Sequence, residues 1–222
     1  HRHHHLHSDQ PEDVHSARQE GFLRSHMGWF LARENFATRT RLVRDLARFP
    51  ELRWLDRYDV AVPAVLFLAL WVLGTWLEAA HPSLGTSAWQ LVVWGFCIST
   101  VVLFHSTFVI NSLAHCWGTR RYETSDDSRN NPLLALVTFG EGWHNNHHAV
   151  AGSARFTQRW REFDPSWWAL KAFRAFGWVQ SATVAPKVSA ARLREFSGKI
   201  GANSPRLPRR PERLATQLAR RA

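Results

Sequence analysis

The sequence predicts an all-α integral membrane protein: a transmembrane helical hairpin with a cytosolic helical cap that carries clustered histidines. Three observations lead there. Two apolar runs lack formal charge, 60–77 (18 residues) and 88–110 (23 residues, with His105 neutral), and a bilayer-spanning helix needs roughly 20 mostly apolar residues. The connection between them, 78–87, is short and holds Pro82 and Gly85, so the two helices fold back antiparallel. The spacing HxxHH occurs twice, at His1, His4 and His5 and at His144, His147 and His148. Residues at i, i+3 and i+4 share one helical face, so each cluster can aim three imidazoles at one place.

The elements divide the chain into four stretches: a cap segment (1–59), the hairpin (60–110), a second cap segment (111–180) and a basic tail (181–222). Seven arginines, Arg33, Arg39, Arg41, Arg44, Arg48, Arg53 and Arg57, precede the first apolar run, and Arg120 and Arg121 follow the second. The turn has no Lys or Arg, so the positive-inside rule puts both ends of the hairpin, and every histidine cluster, in the cytoplasm. Trp54, Trp76 and Trp89 near the run ends suit an interfacial belt. The mean hydropathy of −0.29 conceals the apolar blocks. Where the second run ends, Asn111 and His115 stand four apart, and a polar face there is costly unless it meets a site or water. Residues Trp167, Trp168, Leu170, Phe173, Phe176 and Trp178 form an amphipathic stretch that reads as an interfacial anchor.

Composition excludes several classes. Two cysteines, Cys97 and Cys116, form no CxxC pair, which excludes a disulfide scaffold and a cysteine-based zinc module. Net charge is +10, and 187–222 alone holds ten basic residues and two acids. That tail reads as a disordered, solvated segment beside anionic lipid rather than a nucleic-acid arm, because its second half carries no aromatic residue for base stacking. No nucleic-acid partner is expected. The opening HRHHHLH could alone be a tag or a metal tract; the second HxxHH favours a site. Seven imidazoles are too many for one metal and enough to contribute to two. Imidazole suits Zn, Cu, Fe and Ni. The absence of HExxH disfavours a zinc hydrolase. A redox pair there could activate O2 against an unactivated C–H bond, which no side chain does unaided.

Several motifs, in order, resemble the membrane acyl-CoA desaturases, the stearoyl-CoA Δ9-desaturase type and its bacterial relatives. HRHHH (1–5) resembles that family's HRxHH box, FVINSLAH (108–115) its NSxxH segment, and GEGWHNNHH (140–148) its GEGxHNxHH box. RRYETSDDSRNN (120–131) and SHMGW (25–29) match further family segments. The resemblance implies four transmembrane helices, of which this chain holds the third and fourth, under a cap with a di-iron centre. Its iron ligands would be His1, His4, His5, His115, His144, His147 and His148, with Asn111 reaching iron through a water. Arg33 would contact coenzyme A, although Glu34 stands where vertebrate enzymes are basic. Phe108 would lie near the acyl tunnel. No catalytic residue beyond the metal ligands is implied.

The implied partners are a fatty acyl-CoA, O2, a ferredoxin- or cytochrome-type electron donor and membrane lipid, with the bacterial inner membrane as the setting. The reaction would leave a cis double bond, Δ9 by family default. The family's first box, HxxxxH, and its first two spans are missing from the sequence, which suggests a C-terminal fragment, inactive alone. A membrane hydroxylase of the alkane or carotenoid kind and a non-catalytic metal-binding membrane protein remain alternatives. His3 and His7 read as non-ligands, His15 and His26 as supporting or surface residues, and His81 as solvated. His105 would hydrogen-bond in the bundle or line the substrate path. Glu141 could serve a ligand imidazole or a helix surface. Asp126 and Asp127 read as caps.

Overall fold

A computed structural model describes residues 1–184; residues 185–222, nearly all of the expected basic tail, lie outside the described residues. In chain order the α-helices are α1 (Arg2–His7), α2 (Ala17–Glu20), α3 (Arg44–Ala47), α4 (Pro50–Arg57), α5 (Ala61–Ala80), α6 (Ala88–Val92), α7 (Ser99–Asn111), α8 (Leu113–Cys116), α9 (Pro132–Val137), α10 (His144–Ala149) and α11 (Pro165–Ala175). Short π-helical turns occur at Arg24–Gly28 and Val93–Ile98. Among the described residues there is no strand, only isolated bridges pairing Thr119 with Asn130 and Asn130 with Trp143.

The chain forms two compact units. One is Phe36–His105; the other joins His1–Asn35 to the described part of Ser106–Ala222. In the first, α5 starts one residue later than the apolar run and continues through Glu78 to Ala80. Pro63 falls in its first turn, where a missing N–H does no harm. At 1.5 Å per residue its 20 residues span about 30 Å. Ser87 and Gln90 start α6 with a reciprocal capping box. The helices pack antiparallel: Trp71 meets Trp89 at 4.8 Å between ring centroids, and Phe67 meets Phe96 at 5.7 Å. Gly74 sits against the backbone of Ala88, where a Cβ would collide. Both α5 and the run Ala88–Cys116 are long and apolar enough to cross a membrane, and only 6% and 11% of their apolar windows are buried. Most of each apolar window is therefore exposed rather than packed in a core. Trp54, Trp76 and Trp89 are all exposed.

The second unit has an unusual interior. Its apolar cluster is small, Ile110, Ala114 and Leu134 with Val109 and Leu113 packed on it. Most of what it buries is polar: His4, Asp9, Asp13, His15, Ser25, Ser112, His115, Asp126, Asn130, Asn131, His144, Asn145, Asn146, His147 and Glu162 among others. Such burial is tolerated only where hydrogen bonds replace water. Asn131 caps α9 by accepting from the N–H groups of Leu133 and Leu134, with Pro132 at the first helical position. Gly142 packs against the start of Ala135 with no room for a Cβ, which brings α9 and α10 together. Asp164 caps α11 by accepting from the Trp167 N–H at 2.9 Å.

Candidate metal centre

Three elements contribute imidazoles. His1 caps α1, which carries His4 and His5; α8 carries His115; α10 carries His144, His147 and His148. The HxxHH spacing works as a helical face in both α1 and α10. The nitrogens of His4, His115, His144 and His148 lie within 4.8 Å of one another, a set that could hold a metal ion. Those of His1, His5 and His147 form a second such set. The sets are neighbours: the His5 and His148 rings are 4.5 Å apart by centroid. Thus all seven histidines singled out in the sequence converge.

Carboxylates fix the orientation of three rings. His4 Nδ1 donates to Asp13 Oδ2 at 2.9 Å, His115 Nδ1 to Asp9 Oδ2 at 2.8 Å, and His148 Nδ1 to Asp126 Oδ2 at 2.7 Å. An ionised carboxylate only accepts, so each Nδ1 carries a proton, and in the neutral ring that binds metal each Nε2 presents a lone pair. Burial raises the pKa of all three aspartates, but hydrogen bonds from their histidines outweigh it and hold the acids below their ordinary range. The carboxylates are therefore ionised at neutral pH.

This arrangement allows a direct test of metal fit. His4 Nε2 and His148 Nε2 face each other at 3.4 Å. Both are lone pairs, so they cannot hydrogen-bond to one another; a cation between them turns repulsion into ligation. The other facing pairs are His115 with His144 at 3.0 Å, His5 with His147 at 2.9 Å and His5 with His1 at 3.0 Å. Two nitrogens bound to one ion at about 2.0–2.1 Å are separated by roughly 2.8–3.4 Å for right-angle to tetrahedral geometry. Burial, reinforced by the neighbouring imidazoles, lowers His5 to about 3 and His147 to about 4, and pushes His144 well down. Burial also lowers His148, against the pull of Asp126. Neutral rings are the form that binds metal. The Nδ1 atoms of His144 and His147 are buried with no hydrogen-bond partner, so nothing pins those two rings as the aspartates pin His4, His115 and His148.

The supporting network is dense. Asp9 has a left-handed backbone, φ +58°, which puts its carboxylate under His115. It also accepts from Ser16 Oγ at 2.7 Å and from the Asp127 N–H at 2.8 Å. Asn145 Oδ1 accepts from the N–H groups of Arg121 and Tyr122, and its amide donates to the Tyr122 carbonyl. Asn146 accepts from Asn130 and donates to the Phe156 carbonyl and Glu162. Arg121 pairs with Glu162. These contacts seat α10 on the 118–131 loop.

The remaining sequence candidates fall as follows. Asn111 is half-buried at the end of α7, one turn before His115. The SHMGW and NSxxH segments meet: Ser25 Oγ lies 2.9 Å from the Asn111 carbonyl, and His26 Nδ1 bonds Ser112 Oγ at 2.9 Å. Phe108 is buried in an aromatic group with Phe30 at 5.1 Å, His26 at 5.8 Å and Trp29 at 6.4 Å. Arg33 is exposed, and Glu34 pairs with Arg24 at 3.6 Å. His15 lies beside His4, with ring centroids 4.4 Å apart. Glu141 is exposed in the turn before α10 and bonds no imidazole among the described residues.

Asp126 corrects its reading as a cap. One oxygen does serve its turn, accepting from the Ser128 N–H, while the other holds His148. Sequence reasoning missed Asp9 and Asp13 altogether. The available signal was acids four and eight residues after the HxxHH cluster, because ligand imidazoles commonly donate to a carboxylate.

A profile of the fatty acid desaturase family matches residues 1–184. The chain is 36% identical over 195 residues to an sn-2 palmitoyl-lipid 9-desaturase of Nostoc sp. (strain 36), covering 86% of this chain and 64% of that protein. It is 36% identical over 188 residues to an sn-1 stearoyl-lipid 9-desaturase of Anabaena variabilis, covering 84% and 64%. It is 35% identical over 201 residues to an icosanoyl-CoA 5-desaturase of Limnanthes douglasii, covering 89% and 52%. The chain thus spans about half to two thirds of the length of these relatives. With that match over the segments that bring the histidines together, the chain belongs to the fatty acid desaturase family.

Proposed function

We propose that the protein containing these residues is an O2-dependent di-iron desaturase that introduces a cis double bond into a fatty acyl chain at a membrane. The observation that carries this reading is the facing of imidazole nitrogens in two adjacent sets, with aspartates fixing three rings of the first. His4, His115, His144 and His148 would hold one iron, His1, His5 and His147 would contribute to the second, and Asn111 would act through a water. Iron bound there supplies the O2-activating redox chemistry, with electrons from a ferredoxin- or cytochrome-type donor. The chain's own contribution is positional. Asp9, Asp13 and Asp126 hold ring orientation and select the neutral tautomer whose Nε2 carries the lone pair. Phe108, with Trp29 and Phe30, offers an apolar wall that orients the acyl chain. Placement of the chain decides which carbons react.

The finer assignment is a saturated acyl-CoA desaturated at Δ9, with Arg33 meeting the coenzyme A phosphates. An acyl-lipid substrate is the second reading, favoured by the names of the cyanobacterial relatives. The two apolar helices support placement in a membrane, the bacterial inner membrane with the histidine sets cytoplasmic.

The test uses the full-length protein. His115→Ala and His147→Ala should each abolish desaturation and lower bound iron. Full activity with normal iron in either variant rejects the assignment. Mass spectrometry separates loss of two hydrogens from gain of an oxygen, the hydroxylase outcome. O2 uptake that is absent with every acyl substrate indicates a metal-binding protein without catalysis. Offering the same acyl chain as a coenzyme A thioester and as a membrane glycerolipid decides the substrate form.

A further inference from the structure

The segment ahead of α5 carries a feature the metal centre does not use. Residues 36–50 contain four arginines and one acid, Asp45. Arg41, Arg44 and Arg48 are spaced i, i+3 and i+7, so a helical turn gathers them on one side. The chain makes such turns here, a 3-10 turn over Thr40–Leu42 followed by α3. The three side chains, with Thr40 and Ala47, line an open cavity of about 410 Å³. All three arginines are exposed. Against these three cations the stretch sets a single carboxylate, Asp45.

Beside this cavity lies an apolar flank. On α4, Leu52, Trp54, Leu55 and the following Tyr58 fall on one arc, and Arg53, Asp56 and Arg57 on the other. The apolar arc is open to its surroundings; Trp54 is 54% exposed and Tyr58 48%. Cations and rings stand side by side: the Arg48 guanidinium is 5.1 Å from the Phe49 ring centre and that of Arg57 is 5.7 Å from Tyr58. The apolar helix α5 begins at Ala61, a few residues on. An amphipathic helix of this kind, rich in arginine and aromatics and leading into an apolar span, lies in the headgroup layer.

We propose that Arg41, Arg44 and Arg48 form a binding site for the phosphate of an anionic phospholipid headgroup. Guanidinium forks match phosphate oxygens in pairs, and three of them against one acid leave the cavity with a net positive charge. A soluble phosphate compound has no use for the apolar arc of α4 or for the start of α5; a lipid headgroup, with its chains beside those surfaces, uses both. The proposal rests on the membrane placement given under the proposed function and not on the desaturase chemistry.

The test is lipid selectivity of the full-length protein in phosphatidylcholine vesicles doped with phosphatidylglycerol, read by spin-labelled versions of each lipid. Wild type should favour phosphatidylglycerol, by roughly fivefold per arginine engaged, and the preference should fall with salt. The R41Q/R44Q/R48Q variant should lose most of it, while Arg174→Gln, on α11, should keep it. An undiminished preference in the triple variant overturns the proposal, as does wild type that inserts without any preference. Preference erased by inorganic phosphate at constant ionic strength assigns the site to a soluble phosphate compound and overturns the headgroup. Failure to float with any vesicle overturns the membrane placement itself. Bound iron, unchanged in the triple variant, checks that the fold is intact.

Discussion

The two units are built on opposite plans. Phe36–His105 turns apolar surface outward: Val62, Val65, Leu68, Val72, Trp76 and Trp94 are all exposed, while Gly74, Ala88 and Val92 are buried. The histidine unit turns polar groups inward, and among its described residues the buried apolar cluster is small, Ile110, Ala114 and Leu134. A hydrophobic core gains stability from water leaving apolar surface. Neither unit uses that route in the ordinary way. The hairpin unit needs an apolar surrounding, and the histidine unit needs its buried polar groups satisfied. Each should therefore fail under conditions that spare the other.

Acid is the broadest way to separate them. His5, His144, His147 and His148 have folded pKa values below the ordinary 6.5 of imidazole. Below pH 6.5 the unfolded chain takes up protons that the folded unit refuses, so stability falls as pH falls. The fall continues to about 4, where His147 titrates in the folded state, and on toward 3 with His5. A fully buried imidazole such as His144 contributes about 1.4 kcal/mol per pH unit to this loss. The ionised aspartates act at lower pH in the same direction, their contribution fading below 3.8. Hydrogen exchange of the full-length protein should show residues 144–149 opening between pH 6.5 and 4, with 61–80 unchanged. Equal loss in both stretches removes the contrast.

Chelation comes next. Metal present at about a thousand times its dissociation constant stabilises the folded form by about 4 kcal/mol. Stripping it should raise exchange in α1 and α10 by the corresponding factor and leave α5 protected. Protection in α1 and α10 that ignores chelator shows that hydrogen bonds alone hold the histidine unit.

The converse break is Gly74→Val. Its side chain would meet the Ala88 backbone, where there is no room even for a Cβ. Overpacking of this kind costs about 1–3 kcal/mol. Exchange should rise in 61–98 with bound iron unchanged. Loss of iron at normal hairpin protection contradicts the expected division.

The smallest effect sharpens the comparison rather than breaking it. Asp9→Asn keeps the shape and removes the charge under His115. A lost supporting carboxylate typically weakens metal binding 10–100-fold. Iron titration should reveal that loss with hairpin protection intact. Unchanged affinity makes Asp9 a loop fastener only.

The legible part of the molecule was what repeats locally. An uncharged run announces a span because each residue in it must be apolar. Two HxxHH sets announce a site because their partners are one helical turn apart. Asp9 and His115 are 106 positions apart, and their pairing depends on how loops 8–16 and 118–131 close, which no local spacing encodes. Asp126 misled for a different reason: a carboxylate has two oxygens, and the local turn explains only one of them. The Asn145 and Asn146 amides sit inside the GEGWHNNHH motif, yet their task, seating α10 on the 118–131 loop, became visible only with the acceptors in place.

The left-handed turn at Asp9 makes two demands of one residue. Its backbone, at φ +58°, suits glycine, asparagine and aspartate and few other amino acids. Its carboxylate must be present to accept the hydrogen bond from His115 Nδ1–H. Glycine meets the first demand without the second, and glutamate the second without the first. A saturation library at this position should therefore have a single fully competent member, with asparagine a distant runner-up. That pattern would distinguish a residue chosen for chain shape and charge together from one chosen for either alone.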